Sequence, residues 1–421
     1  GRHPRLPESL MKICLMSYRG NPYCGGQGVY LMYIARELVK LGHEVHAIVG
    51  PPYPFEMQGV TLHRIGNHNY FNVPDFVKPH KPFATYQPFN FYEFVASKLG
   101  IFPEIETFSF RAFLKLKELQ KTHRFDIIHD NQCLGYGFLL IKNLGVPFVS
   151  TLHHPLSIDR TTWFEYPSDF SLRVKRVLYY PLIMQAFVSN RLDRIITVSH
   201  DSAKEINLAF GVPMEKQRVV YNGLDSSIFH PLTGIKKKKN QILFVGNVED
   251  RKKGVAYILK ALTLTKHKVN LIIVDGGAPN RRFVPGWIDR FGLNDRIRFM
   301  GKVTNEELVR LYAESEIALS PSLYEGFGFP AAEAMACELP VIASTGGALP
   351  EVVGEHLKTA YIVPTRDPEA IAAGIDTLMD DPALRRRMGK AARARILTTF
   401  TWENATKEMV KVYQEAIDAH R

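Results

Sequence analysis

The sequence predicts an α/β protein built from two doubly wound, Rossmann-like domains. Short apolar segments alternate with helical patterns along most of the chain, which is typical of parallel sheets covered by helices on both faces. A pattern of strand, glycine-rich loop and helix begins near residue 12 and begins again at residue 241. The length of 421 residues also suits two domains.

The composition predicts a folded protein of a reduced compartment. Hydrophobic residues make up 46% of the chain and charged residues 23%, so a large core can form. No apolar run is long enough to span a bilayer, and no secretory signal opens the chain. The 4 cysteines have no paired spacing, so we expect a cytoplasmic protein with neither a disulfide framework nor a metal site.

The first domain is predicted to span residues 11–225, after a loose tail or expression remnant at residues 1–10. Its strands are expected at 12–17, 44–49, 126–129, 147–153 and 194–199. A glycine-rich turn at 21–28 precedes a helix from Val29, but the third glycine of the dinucleotide fingerprint is absent there. A nicotinamide-dependent oxidoreductase therefore ranks low.

Residues 67–110 are crowded with aromatic residues and interrupted by prolines. One interpretation is an apolar platform for a lipid or another bulky ligand, and the other is a cover whose rings pack inward. The next helical pattern carries four cations on an amphipathic stretch, which suits either an anionic membrane or a solvated helix face: Arg111, Lys115, Lys117 and Lys121. A second basic and apolar helix is expected at residues 173–180.

A linker at residues 226–240 is predicted to lead into a second domain at residues 241–399. The strands of this domain are expected at 241–245, 269–277, 297–303, 316–319 and 340–343. The net charge of +11 suits anionic partners such as nucleotides or phospholipids. The lysine run at 236–239 lacks the interleaved aromatic residues of nucleic-acid sites, so we expect no nucleic acid partner.

The segment from Ser320 to Ala336 carries the clearest chemistry. Glu325 lies in a glycine-containing loop, Pro330 suits the first turn of a helix, and Glu333 follows about one turn inside that helix. The unpaired N–H groups of a helix N-terminus suit a phosphate, whereas the two carboxylates suit hydroxyl donors. The predicted ligand is therefore phosphorylated and rich in hydroxyl groups.

This segment, with Gly-Phe-Gly-Phe-Pro between Glu325 and Glu333, resembles the signature of retaining glycosyltransferases of family 4, the group 1 type. The resemblance implies the GT-B fold, in which two Rossmann-like doubly wound domains face each other across a cleft. It implies that residues 11–225 bind the acceptor, that residues 241–399 bind a nucleotide sugar, and that a helix at 400–421 crosses back to the first domain. It also implies retention of anomeric configuration, no cofactor and no metal.

The same resemblance implies the roles of individual residues. Glu325, His153 and Lys253 are the expected catalytic residues, with His154 as the alternative to His153. The expected donor-binding positions are Glu333, Arg251, Asn247, Gly26, Gly246, Phe327, Gly328, Phe329, Lys302 and Val303. Asn247 stands where the family usually has an arginine, so Arg251 is expected to supply the missing positive charge.

The predicted function is a hexosyltransferase-type enzyme (EC 2.4) that moves a sugar from a UDP- or GDP-sugar to a hydroxyl acceptor. The acceptor stays open between a lipid-linked glycan at the cytosolic membrane face and a soluble sugar or small alcohol. Because Asn247 cannot neutralise a phosphate as arginine does, a catalytically weak nucleotide-binding or scaffold protein is a second alternative.

Overall fold

The backbone forms two separate parallel sheets in the computed structural model, which describes residues 10–21, 26–66, 87–98, 102–155, 182–276 and 283–420. The chain divides into two units. Unit 1 contains residues 1–198, 203–220 and 405–421, and unit 2 contains residues 199–202 and 221–404. The predicted linker at 226–240 thus belongs to unit 2, and most of the last helix belongs to unit 1.

Unit 1 contains a seven-stranded parallel sheet in the order β3-β2-β1-β4-β5-β6-β7. Its strands are β1 (Lys12–Ser17), β2 (Glu44–Val49), β3 (Val60–Arg64), β4 (Ile127–Asn131), β5 (Phe148–Leu152), β6 (Arg194–Thr197) and β7 (Gln217–Val219). Its helices are α1 (Gly26–Lys40), α2 (Pro88–Lys98), α3 (Glu104–Leu119), a 3-10 helix (Tyr136–Leu144), α4 (Leu182–Ser189) and α5 (His200–Phe210, whose first residues belong to unit 2). The central strands β4 and β5 are buried throughout, as expected for strands covered on both faces.

Unit 2 contains a six-stranded parallel sheet in the order β10-β9-β8-β11-β12-β13. Its strands are β8 (Gln241–Val245), β9 (Asn270–Val274), β10 (Ile297–Phe299), β11 (Ile317–Ser320), β12 (Val341–Ser344) and β13 (Tyr361–Val363). Its helices are α6 (Val255–Leu264), α7 (Val284–Phe291), α8 (Asn305–Glu314), α9 (Phe329–Ala336), α10 (Leu349–Val353), α11 (Pro368–Asp380) and α12 (Pro382–Thr399), and α13 (Trp402–His420) ends in unit 1.

Several predicted elements have different bounds in the structure, and the shifts of α1 and β10 have a clear physical reason. Helix α1 begins at Gly26 rather than Val29, because its first turn is polar and glycine-rich and so carries no apolar periodicity. Strand β10 ends at Phe299 rather than residue 303, because Gly301 turns the chain with a φ of 67°.

The aromatic segment is described only in part. Phe102 and Phe108 are buried in the core of unit 1, whereas Phe91 on α2 is 55% exposed. Arg111 forms an ion pair with the buried carboxylate of Glu93, so this cation of the basic stretch is used within unit 1. Residues 1–9, 67–86 and 173–180, on which further predictions fall, lie outside the described residues. Among the described helices, none combines the length and apolarity that crossing a bilayer requires.

Candidate active site

Three loops of unit 2 meet at the carboxyl ends of the neighbouring strands β8, β11 and β12. The N–H group of Leu323 donates to the Lys252 oxygen (2.6 Å), and the N–H group of Ala348 donates to the Glu325 oxygen (2.8 Å). Ligands of doubly wound sheets bind outside the carboxyl ends of the strands. The packed loops therefore form the candidate binding edge of unit 2.

Glycine allows these loops to approach so closely. A Cβ atom at Gly254, where φ is 71°, would lie 2.2 Å from the Pro321 oxygen. A Cβ atom at Gly347, where φ is 61°, would lie 2.4 Å from the Glu325 oxygen. Any side chain at either position would separate the loops, because real Cβ atoms do not tolerate such distances.

Helix α9 begins at this edge. Gly328 precedes its first residue with a φ of 95°, and Pro330 lies in the first turn, as predicted. Within the described part of the chain, the N–H groups of Phe327, Gly328 and Phe329 donate to no other residue. These donors and the positive end of the helix dipole can receive an anion.

Lys253 and Glu325 form an ion pair between the loop after β8 and the loop after β11. The Lys253 Nζ atom lies 2.7 Å from Glu325 Oε1, and the Ser322 hydroxyl donates to the same oxygen atom at 2.7 Å. The side chains of Lys253 and Glu325 are 22% and 14% exposed. The pair therefore places one cation and one carboxylate, both largely shielded from water, beside the start of α9.

Glu333 lies on the second turn of α9 and is partly buried. The hydroxyl group of the fully buried Tyr312 donates to Glu333 Oε2 at 2.9 Å. Desolvation raises the pKa of the Glu333 carboxyl group from 4.5 to about 7, although the Tyr312 hydrogen bond acts in the opposite direction. Glu333 is thus a preorganised hydrogen-bond acceptor whose charge changes near neutral pH.

The other predicted donor-binding residues of the loop after β8 make contacts within unit 2 rather than with Glu325 or the start of α9. The Asn247 Oδ1 atom accepts a hydrogen bond from the Glu249 N–H group (3.0 Å), so this side chain stabilises a turn of its own loop. The Arg251 guanidinium lies over the Phe283 ring, 5.0 Å from its centroid. Gly246 donates its N–H group to the Val274 oxygen at 2.9 Å.

Lys302 and Val303 follow β10, at the outer edge of the sheet of unit 2. Val303 packs against the hydrophobic core, whereas Lys302 is exposed. Strands β9 and β8 lie between β10 and β11. The structure therefore brings Lys253, Glu325 and the start of α9 together. Lys302 and Val303 also follow the carboxyl end of a strand, but this strand, β10, is separated from β11 by two others.

In unit 1, His153 follows strand β5 and is fixed by residues at the carboxyl end of β4. The Asn131 Nδ2 group donates to the Gln27 oxygen (2.8 Å), which turns Asn131 Oδ1 toward His153 Nε2 (2.9 Å). The Gln132 side chain accepts from the His153 N–H group (2.7 Å) and donates to the His154 oxygen (2.8 Å). Asn131 therefore holds both His153 and the first turn of α1, which begins at the exposed Gly26.

His153 is a neutral imidazole with a defined tautomer. Its Nε2 atom carries the proton, because Asn131 Oδ1 can only accept. Desolvation, followed by the proximity of His154, lowers the pKa of His153 from 6.5 to about 3. The lone pair of the ring is consequently on Nδ1.

A buried polar chain lies behind His153. His129 Nδ1 is 2.6 Å from the Tyr413 hydroxyl, and His129 Nε2 is 2.8 Å from Thr151 Oγ1. Thr151 Oγ1 is 2.8 Å from the Tyr30 hydroxyl, and the Tyr30 ring packs edge-on against His153 with centroids 4.9 Å apart. Burial lowers the pKa of His129 to about 3, so this chain is neutral. This hydrogen-bonded group contacts His153 through the Tyr30 ring.

Sequence reasoning missed the residues that hold the predicted ones. These are Ser322, Tyr312, Asn131 and Gln132. The Asn131-Gln132 pair had a usable signal, because two polar residues lie at the carboxyl end of a buried strand. Tyr312 had none, since its contact with Glu333 spans 21 residues and two elements.

Known proteins are similar to this chain along most of its length. A family model described as Glycosyl transferases group 1 matches residues 225–395, and one described as Glycosyltransferase Family 4 matches residues 24–228. The chain is 36% identical over 410 residues to the MMP alpha-(1->4)-mannosyltransferase of Mycolicibacterium hassiacum, covering 97% of this chain and 98% of the relative. It is 28% identical over 318 residues to the D-inositol 3-phosphate glycosyltransferase of Streptomyces avermitilis, covering 70% of this chain and 67% of that relative.

Solved structures share the fold. Sucrose-phosphate synthase from Thermosynechococcus elongatus matches with a TM-score of 0.73 at 24% identity, covering 97% of this chain and all (100%) of that one. Anabaena HepE in complex with UDP and glucose matches with a TM-score of 0.66 at 22% identity, covering 96% of this chain and 100% of that one. The predicted family and GT-B fold class are confirmed, and the cleft between the domains stays a prediction. Because the Mycolicibacterium relative is similar over nearly the whole chain and both family models match, the chain belongs to glycosyltransferase family 4 and is a glycosyltransferase.

Proposed function

We propose that this enzyme transfers a hexosyl group from a nucleoside diphosphate sugar to a hydroxyl group of a carbohydrate acceptor. Mannose is the first candidate for the sugar, because the 36% identical relative is named a mannosyltransferase. The observation that carries the proposal is the ion pair of Lys253 and Glu325, 2.7 Å apart beside the glycine-initiated N-terminus of α9.

The positive groups of this site suit the leaving diphosphate. Breaking the bond between the sugar and the diphosphate leaves negative charge on the phosphate and positive charge at the anomeric carbon. Lys253 and the N–H groups of residues 327–329 are fixed donors that can stabilise that phosphate. A helix end stabilises a bound anion by at most about 2 kcal/mol, so Lys253 supplies the larger share of the stabilisation of the phosphate. Because these groups neutralise the phosphate, we propose a metal-independent transfer.

The carboxylates suit the sugar and the ribose. Glu333, held by Tyr312, accepts hydrogen bonds from the ribose hydroxyls, and Glu325, held by Ser322, accepts them from the sugar. Glu325 also stabilises positive charge at the anomeric carbon. The neutral imidazole of His153 contacts a hydroxyl group of the sugar.

We propose retention of configuration on chemical grounds. The Mycolicibacterium relative is named for an alpha-linked product, and GDP-mannose carries its sugar as the α anomer. Converting an α-linked donor to an α-linked product is retention. In such a transfer the leaving phosphate accepts the proton of the acceptor hydroxyl while the new glycosidic bond forms.

A lipid-linked acceptor is the second candidate, with the enzyme at the cytosolic membrane face. It is favoured by exposed apolar side chains on α2, where Phe91 is 55% exposed and Tyr92 and Val95 are each 39% exposed. Flotation with anionic liposomes at low and high salt tests this candidate. If the protein does not float with the liposomes at low salt, the membrane-bound acceptor is excluded.

A donor screen tests the proposal as a whole. GDP-mannose, GDP-glucose, UDP-glucose and UDP-N-acetylglucosamine are incubated with the enzyme and carbohydrate acceptors, and NMR spectroscopy reports product and anomeric configuration. We expect turnover with one nucleotide sugar and an α-linked product. Nucleotide binding without transfer would favour the scaffold alternative, and a β-linked product would contradict retention. Lys253→Met should lose most of this turnover, and its matched control Lys252→Met should stay active.

A further inference from the structure

Imidazole and carboxylate groups form a cluster in unit 1 away from the candidate site. Glu44, His46 and His123 each offer one ligand atom, and these atoms lie within 4.8 Å of one another. Glu44 and His46 are in the first half of β2, and His123 lies in the loop between α3 and β4. The cluster is thus near the amino-terminal end of β2, whereas His153 follows the carboxyl end of β5.

The hydrogen bonds of His46 allow two tautomers with different uses. His46 Nδ1 lies 2.9 Å from His63 Nε2, and His46 Nε2 lies 3.0 Å from Glu44 Oε1. With the proton on Nε2, His46 donates to Glu44. With the proton on Nδ1, His46 donates to His63. The Nε2 atom of His46 and Oε1 of Glu44 are then two acceptors 3.0 Å apart, an arrangement that a bridging cation would stabilise. Metal-binding histidines usually donate through the second ring nitrogen in this way.

Further features of the cluster suit a metal ion. His46 is buried, at 2% exposure, so its ring orientation is fixed by the fold. Among the described residues, the ring nitrogens of His123 make no hydrogen bond that competes with a metal. Ligand atoms around tetrahedral zinc are roughly 3.4 Å apart, given bonds of about 2.1 Å. The 3.0 Å contact is close to that spacing, and the exposed Glu44 and partly exposed His123 have room to rotate so that the other separations shorten.

We propose that Glu44, His46 and His123 bind one zinc ion in unit 1, with His63 as the outer hydrogen-bond acceptor of His46. Two imidazoles and one carboxylate suit zinc, whereas calcium and magnesium prefer oxygen ligands alone. Water completes the coordination. The ion would join β2 to the loop after α3, and its place near the amino-terminal end of β2, away from the candidate site, favours a structural role. Cysteine counting did not indicate this site because no cysteine takes part.

Lys12 is the natural competitor of the metal. Its Nζ atom lies 2.9 Å from Glu44 Oε1, where it holds the carboxylate by charge. The Lys12 side chain is 27% exposed and can move into solvent when a cation binds. Removing this ammonium group should therefore strengthen zinc binding, whereas removing a ligand should weaken it. The opposite signs distinguish a metal site from a network of internal hydrogen bonds.

The test is a zinc titration of the full chain without a polyhistidine tag, against a chromophoric chelator. We expect one zinc ion per chain, at least about tenfold weaker binding in Glu44→Gln and in His123→Gln, and tighter binding in Lys12→Met. Both ligand variants are at partly or fully exposed positions, so they should fold. Zinc should also raise the thermal unfolding midpoint of the wild type, because it binds only the folded state.

Unit 2 offers a matched control. Lys266, His267 and Asp380 form the same combination of lysine, histidine and carboxylate, with contacts of 2.6 and 2.8 Å, but the described residues bring no second imidazole to it. His267→Gln should leave zinc affinity unchanged. The proposal is overturned if the wild type binds zinc no more tightly than Glu44→Gln and His123→Gln, or if His267→Gln removes the binding.

Discussion

The substitution Glu325→Gln removes the charge that holds the Lys253 ammonium group 2.7 Å away in the structure. If Lys253 binds the donor diphosphate, it must share or leave this carboxylate when the nucleotide arrives. Neutralising Glu325 should then make Lys253 more available. Lys253→Met should do the reverse, because it removes the cation and leaves Glu325 facing the phosphates.

The magnitude follows from the burial of the pair. Exposed ion pairs contribute about 0–1 kcal/mol, and removing one partner of a fully buried pair costs about 3–5 kcal/mol. With side chains 22% and 14% exposed, Lys253 and Glu325 lie between these limits. We expect the interaction between Lys253 and Glu325 to contribute roughly 1–3 kcal/mol. A change of about 1.4 kcal/mol in binding free energy corresponds to a tenfold change in Kd.

The assay is calorimetric titration with GDP and UDP, combined with turnover measurements. Glu325→Gln should bind the nucleoside diphosphate about tenfold more tightly and yet lose turnover. Lys253→Met should bind it more weakly and lose about 100- to 1,000-fold in kcat/KM. Lys252→Met is the matched control, since Lys252 and Lys253 are neighbours in a short 3-10 helix (Arg251–Lys253) and the Lys252 side chain is also 22% exposed.

Equal loss of affinity in Glu325→Gln and Lys253→Met would refute this reasoning, because it would mean that the two side chains act only as a structural pair. An unchanged kcat/KM in Lys253→Met would remove the proposed phosphate contact altogether.

Three further outcomes are expected from the site residues. Because the pKa of Glu333 is raised to about 7, nucleotide affinity measured by calorimetry should increase with pH through neutrality as the carboxylate forms, and Glu333→Gln should show a flat profile. Asn131→Leu frees the His153 ring, so turnover should fall at least about tenfold while nucleotide Kd stays constant; equal loss of both would show a folding defect. Burial lowers the pKa of His129 to about 3, so between its usual 6.5 and about 3 only the unfolded chain gains this proton. His129 should therefore lower the unfolding free energy by about 1.4 kcal/mol per pH unit over this range, and chemical denaturation should show a slope smaller by about that amount in His129→Gln.

Sequence reasoning succeeded where chemistry and structure are adjacent in the chain. The segment from residue 320 to 336 contains a strand end, a loop that needs glycine, a proline in the first helical turn and two acids. Each of these has a local physical meaning, so Gly328 and Pro330 were found where the structure has them.

It failed where a contact joins residues far apart in the sequence, or where an element has no hydrophobic periodicity. The pairing of Lys253 with Glu325 spans 72 residues, and no spacing rule predicts it. The start of α1 at Gly26 was missed because a polar first turn leaves no apolar periodicity. Asn247 was interpreted as a lost phosphate contact, but the structure shows that its side chain also stabilises its own loop.

The most direct test of the central claim is a crystal structure of the protein with a bound nucleoside diphosphate. We predict phosphate oxygens within about 3 Å of the Lys253 Nζ atom and of the N–H groups of residues 327–329, with the ribose hydroxyls on Glu333. Phosphates bound at any place other than the start of helix α9 would contradict the account.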